Sequence, residues 1–379
     1  MRIVVLGYIV RGPIGGLAWH HLQYVLGLHR LGHDVLFIED SDDYPACYDP
    51  SRHIVDTDPT YGLRFAGDAF ALVGLDDKWA YHDAHTTRWL GPAAATAEQF
   101  CRSADLILNV SAVNPLRVWA MDAPVRALID TDPAFTQVRN LTDPVARHRA
   151  LDHNRFFTFA ENVGSGTARL PDDGFAWRPT RQPMVLDLWK VEEAIAAASY
   201  TTVMQWQSYA PVEFGGKVYG TKAESFGEFV DLPTLTDVSL EIALGGSDAP
   251  RETLIEKGWH LRNPLEVALT PQDFQAYVRS SRGELAVAKH GYVVSNSGWF
   301  SERSAGYLAS GRPVVTQETG FSELLPVGSG LFSFRDAREA VDALENVERD
   351  YRTNAAEARR IAEEYFDSSQ VLRRLIENL

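Results

Sequence analysis

Cysteine is almost absent: Cys47 and Cys101 are the only two in 379 residues. That excludes a disulfide framework and leaves no cysteine cluster for zinc. Positive charge is scarce too. Lys and Arg number 36 against 51 Asp and Glu, for a formal net charge of −15. Nucleic acids and anionic membranes are held through basic patches, so neither is expected as a partner. No segment approaches the apolar length that spans a bilayer, and Met1 to Leu6 lacks the charged start, long apolar run and cleavage site of a secretory leader. A cytoplasmic protein without a membrane span is expected. Repeats and low-complexity tails are missing, and so is Gly-x-Gly-x-x-Gly, which argues against a hydride-transferring dehydrogenase.

What is there suits two domains, each long enough to bury its own core. Met1 to Gly7 is a β-branched run that reads as a parallel strand. The loop Tyr8 to Gly16 follows, then a helix with apolar positions at Leu17, Leu22, Val25, Leu26 and Leu28, and then the strand Val35 to Glu39. Glu39 to Trp89, rich in Asp, Tyr and Pro, reads as an irregular segment over a strand end, either an acceptor lid or a long loop with short helices. Further strands are expected at Ala104 to Val110, Val125 to Ile129 and Phe156 to Ala160, each ending in polar residues. Repeated delivery of polar residues to one edge is the mark of a doubly wound sheet with a ligand cleft.

The proline-rich stretch Leu170 to Trp189 places the linker near Pro179 to Pro183, giving domains 1–178 and 179–366 with a terminal helix, 367–379. The second domain opens with the strand Tyr200 to Trp206, and Lys217 and Lys222 follow as possible phosphate partners. Val238 to Leu244 is its next strand, closed by Gly245 and Gly246. Glu284 to Pro326 reads as strand, loop, helix, strand, loop. Ser301 caps the helix, Glu302 sits in its first turn, and Ser310-Gly311 stops it. Ligands of such a βαβ unit bind beyond the strands' carboxyl ends, which here are Lys289 to Ser297 and Gln317 to Glu323.

The helix, then Ala-Ser-Gly-Arg-Pro-Val-Val, then Thr-Gly-Phe-Ser-Glu-Leu-Leu-Pro resembles the donor-binding segment of GT-B fold glycosyltransferases. The likeness is to the group carrying Glu-x7-Glu before Ala-x-Gly-x-Pro-Val. Gly15-Gly16 and the later Gly-His-Asp-Val resemble that group's N-terminal loop and strand. Aligned on Ala309-Ser310-Gly311, Gly298 and Gly306 stand where the two glutamates would be, and Glu302 or Arg303 is positioned to take over a donor contact. The resemblance implies two Rossmann-like domains facing across a cleft. Acceptor is then held by the N-terminal one and nucleotide sugar by the C-terminal one, with the last helix crossing back.

It also implies transfer of a sugar from a nucleoside diphosphate to a small-molecule acceptor, with the nucleotide sugar as co-substrate and no other cofactor. A related reading is an epimerase or hydrolase of nucleotide sugars; another is a non-catalytic sugar-nucleotide-binding subunit. Such chemistry needs a grip on the diphosphate and a way to remove the acceptor's proton. Candidate donor contacts are Gly15, Gly16, Gly246, Lys289, His290, Trp299, Ser301, Glu302, Arg303, Gly320, Phe321 and Glu323. Lys289 reads equally as a salt-bridge residue. His20 and His21 are the candidate bases, and adjacent helical residues point about 100° apart, so at most one faces a cleft. Asp130 and Asp132 are candidates for the aspartate that assists or for the base itself. Their Asp-x-Asp spacing is similar to the metal clamp of the other glycosyltransferase fold, but the donor-like segment lies in the C-terminal half, so no metal is expected.

Overall fold

The computed structural model describes residues 1–192 and 198–379. Two sheets organise it. The first contains β1 (Arg2–Leu6), β2 (Asp34–Asp40), β3 (Trp79–Asp83), β4 (Arg88–Leu90), β5 (Leu106–Val110), β6 (Val125–Asp130), β7 (Arg155–Thr158) and β8 (Trp177–Pro179). Their spatial order is β8-β7-β6-β5-β1-β2-β3-β4, parallel except for the β3/β4 pair. The second holds β9 (Tyr200–Gln205), β10 (Leu240–Gly245), β11 (His260–Arg262), β12 (Gly283–Ala286), β13 (Val314–Gln317) and β14 (Leu331–Phe334). It runs β11-β10-β9-β12-β13-β14, all parallel. The order reverses between β5 and β1 in one sheet and between β9 and β12 in the other, so each has a crevice at the carboxyl ends of those strands.

Helices that bear on the site are α1 (Gly15–Arg30), α2 (Thr60–Leu72), α3 (Pro271–Ser280), α4 (His290–Val294), α5 (Glu302–Ala309) and α6 (Ser368–Glu377). The central strands are fully buried runs such as Ile3 to Leu6 and Leu106 to Val110, as parallel strands covered on both faces must be. One apolar cluster passes from the first sheet through α1 into the second half. There Trp19 and Trp189 rings lie 5.6 Å apart, Trp189 meets Phe274 of α3, and Trp19 Nε1 donates to the Pro271 carbonyl at 2.8 Å.

Two chain segments tie the halves together. Met184 accepts from Ser368 N and its own N–H donates to the Phe366 carbonyl. Next, α6 lies on α1, so close that a Cβ on Gly27 would stand 2.5 Å from Leu372 Cδ1.

The segment Glu39 to Trp89 corrects the irregular reading. It holds a hairpin, Cys47–Asp49 with Ile54–Asp56, then α2 and the parallel strand β3. A glycine is needed at Gly62 because a Cβ there would strike the Val10 carbonyl at 1.9 Å, and that glycine dilutes the helical pattern of α2. The loop expected from Lys289 to Ser297 likewise contains the short helix α4.

Candidate functional site

The first sheet's contribution starts at Glu39, which is wholly buried. It accepts N–H bonds from Ile9, Val10 and Arg11 and an ion pair from Arg11 Nε at 3.3 Å, and so clamps the loop before α1. Burial pushes its carboxyl up, while Arg11 and the three amides pull it back. That clamp fixes where α1 begins.

The two histidines of α1 separate cleanly. His21 has no exposed surface, its Nε2 accepts the Tyr8 N–H at 3.2 Å, and burial drives its pKa well below the ordinary value. It is a packing histidine. His20 points to the end of β5, where its Nε2 stands 3.3 Å from Ser111 Oγ. Burial keeps it neutral by lowering its pKa, against an opposing pull from Glu302.

The two aspartates differ as well. Asp130 is buried and saturated by Gln137 Nε2, Thr158 Oγ1 and the Asp132 N–H, and burial raises its pKa. It holds the β6 loop and meets no cleft. Asp132 reaches across to the second half, where it accepts from Lys289 Nζ (2.9 Å), Tyr209 OH (2.7 Å) and Tyr292 OH (2.6 Å). Burial alone would raise its pKa, but Lys289, Tyr292 and Arg139 hold it below the usual carboxylate range.

Opposite lie the loops of the second sheet. Lys289 is therefore engaged in an ion pair, and it also lies 4.5 Å over the Tyr209 ring. His290 begins α4, its Nδ1 accepting the Gly220 N–H at 3.3 Å. Trp299 stacks on Tyr292 with centroids 4.3 Å apart and donates to the Thr131 carbonyl at 3.2 Å. Ser301 caps α5 by accepting the Arg303 N–H. Arg303 turns inward to the buried Glu284 and to the Val203 carbonyl at 2.9 Å.

The charge of Glu302 is felt by Tyr8, His20, Tyr24, Lys222 and Arg303. Lys222, expected as a possible phosphate partner, stands at the start of the helix Lys222–Phe226. Burial and the neighbouring Arg303 and Lys289 push its pKa well below the ordinary lysine value, and no hydrogen bond to it is found among the described residues. Its signal in the sequence was a lysine just after the glycine-containing turn Gly215 to Gly220.

Several glycines proved to be packing residues. The Gly15 N–H is spent on the Ala268 carbonyl at 3.0 Å, and a Cβ there would lie 2.1 Å from Thr270 O. Gly16 abuts the Phe274 ring. Gly320, with φ +97°, approaches Asn162, whose Nδ2 donates to its carbonyl. Gly298 (φ +77°) faces Asn162 too, and Gly306 faces Trp189 at 3.1 Å, so neither position has room for a glutamate.

Gly246 closes β10 with φ +103° beside Trp206, its carbonyl taken by Arg251. Phe321 is a core residue packed on Phe300, which corrects its place near a ligand. Glu323 is exposed at the rim, accepting from Thr167 Oγ1 and Asn296 Nδ2. What converges between the sheets is thus His20, Ser111, Thr131 and Asp132 from one side and Lys222, Lys289, Trp299 and Glu302 from the other. Among the described residues no cluster of His, Cys, Asp and Glu is arranged to hold a metal ion, and no helix is long and apolar enough to cross a membrane.

No family model matches the chain. No curated protein sequence matches it either. Solved structures do. An alpha-glucosyltransferase in complex with UDP and a 13-mer DNA superposes with a TM-score of 0.59 at 10% identity, covering 100% of this chain and 98% of that one. HepE of Anabaena in complex with UDP and glucose gives 0.57 at 14% identity, covering 100% and 98%. AviGT4, a glycosyltransferase involved in avilamycin A biosynthesis, gives 0.53 at 13%, covering 99% and 96%.

The DNA-bound structures correct the exclusion of nucleic acid drawn from net charge. Net charge sums over the whole surface, whereas contact with a polyanion depends on the local field at one face. The likeness runs the length of the chain, and this protein has the GT-B fold of glycosyltransferases.

Proposed function

We propose that the chain is a glycosyltransferase that moves a sugar from a nucleoside diphosphate to a hydroxyl-bearing acceptor held against the first sheet. The observation that carries this is the convergence of His20 behind Ser111 from one sheet with Lys222, Lys289, Trp299 and Glu302 from the other, in a chain with the GT-B fold. Lys222, whose pKa is lowered by burial and by Arg303 and Lys289 against the pull of Glu284 and Glu302, would gain a proton when a departing diphosphate brings negative charge beside it. His20, kept neutral by burial, is the group able to take a proton. Trp299 supplies a ring face and Glu302 a carboxylate for sugar hydroxyls. Small-molecule hydroxyls are the first acceptor class to try. UDP is the first nucleotide to try, since it occupies the alpha-glucosyltransferase and HepE structures.

Thermal-shift measurements against a panel of nucleoside diphosphates test the reading. A ligand at 100 times its Kd adds about 2.7 kcal/mol of stability, enough for a clear rise in Tm. One nucleotide should produce that rise in the native chain and none in Lys222→Ala. A rise of equal size in the variant, or no rise with any nucleotide, would remove the donor site from this cleft.

A further inference from the structure

Both ring nitrogens of His20 are closed to direct contact. The residue is 8% exposed, and Nδ1 is buried without a hydrogen-bond partner. Nε2 lies behind Ser111 Oγ at 3.3 Å. Ser111 is the more exposed of the two, the first residue past the carboxyl end of β5 at the sheet's switch point. Its oxygen accepts the Thr131 hydroxyl proton at 2.9 Å. Ser111 Oγ keeps its own proton and a second lone pair, and with that proton directed at His20 Nε2 a neutral imidazole carries its hydrogen on Nδ1.

The backbone here is unusual. Ser111 has φ +66° and Ala112 φ +55°, consecutive left-handed conformations in residues that are not glycine. The Ser111 N–H bond to the Ile129 carbonyl at 2.9 Å holds that conformation. Strain of this kind persists only where surrounding structure over-determines it, and here it aims one hydroxyl between a histidine and the cleft.

We propose that Ser111 relays the acceptor's proton to His20, with Thr131 orienting the relay. This rests on the transferase reading above. In the step, the acceptor O–H bond breaks and its proton passes to Ser111 Oγ, while the Ser111 proton passes to His20 Nε2. The acceptor oxygen bonds to the sugar carbon, and the bond from that carbon to the diphosphate breaks with its electron pair leaving on phosphate.

Ser111→Gly is the informative variant, because glycine adopts the same φ without strain and the fold is retained. Turnover of a nucleotide sugar should fall about 100-fold in kcat, with the donor KM unchanged. His20→Ala should fall as far, and the double variant little further. Imidazole 15N shifts of the native chain at neutral pH should report the Nδ1–H tautomer of His20, and Ser111→Gly should lose that preference. A native Nε2–H tautomer overturns the relay. So does loss of turnover in His20→Ala with native turnover in Ser111→Gly, an outcome that leaves the transferase reading standing. No turnover by the native chain with any nucleotide sugar overturns the transferase reading, and the relay with it.

Discussion

At the residue scale, the difference between a histidine that reacts and one that packs is decided by its neighbours. His153 shows the packing case most plainly: its Nδ1 lies 2.9 Å from the Arg149 carbonyl and its Nε2 3.1 Å from Asn109 Nδ2. One nitrogen donates and the other accepts, which only the neutral ring can do. Burial lowers its pKa from 6.5 to about 4. The unfolded chain therefore binds a proton that the folded chain refuses. Stability from this group is full above pH 6.5 and drains as the pH falls through about 4, a loss of about 3 kcal/mol. Urea denaturation of the native chain between pH 7 and pH 4 should show that decline, and His153→Gln should flatten it; an unchanged slope would mean another group governs acid stability.

Single residues were also where the sequence was hardest to read. Gly15 and Gly16 have the look of a phosphate loop. The Thr270 carbonyl leaves Gly15 no space for a side chain, and Gly16 lies tight against the Phe274 ring of α3. A glycine required by packing and one required by a ligand are identical in sequence. Lys222 was legible only as a possible phosphate partner and Ser111 not at all, since a serine after a strand acquires meaning only from what the fold sets opposite it.

At the element scale, the strands that end at the cleft were legible, because parallel strands buried on both faces are apolar throughout, as in Leu106 to Val110 and Val314 to Val315. Strands at the sheet margins were not. His260–Arg262 is an edge strand with two exposed residues out of three, and Trp79–Asp83 mixes histidine and aspartate into an aromatic run. Helix α6 was legible by its period, with Val371, Leu372 and Leu375 on one face. That face seals α1 from below the cleft. Leu372 is wholly buried there, so Leu372→Ala should lower the unfolding free energy by about 2–5 kcal/mol in urea titration. A change below about 1 kcal/mol would mean that α6 is not docked.

At the scale of the whole molecule, one carboxylate gathers several of the polar contacts between the halves. Asp132 is held by Lys289, Tyr209 and Tyr292, with Trp299 bonded to the adjacent Thr131 carbonyl and Asn162 bonded to the Asn296 and Gly320 carbonyls. Apolar packing of Trp19, Trp189 and Phe274 lies beneath them. Loops from two sheets are thereby set face to face with Lys222 and Glu302 on one wall and His20 behind Ser111 on the other. Two facing sheets could be anticipated from the order of strands and helices, but the Asp132 junction could not, because its members are 77 to 160 residues apart in the chain.

The most direct measurement of the central claim is a crystal structure of the chain grown with saturating UDP. The diphosphate should lie between the two sheets, within hydrogen-bond distance of Lys222 and close to α5. UDP bound outside that cleft, or a cleft left vacant at saturating nucleotide, would contradict the account.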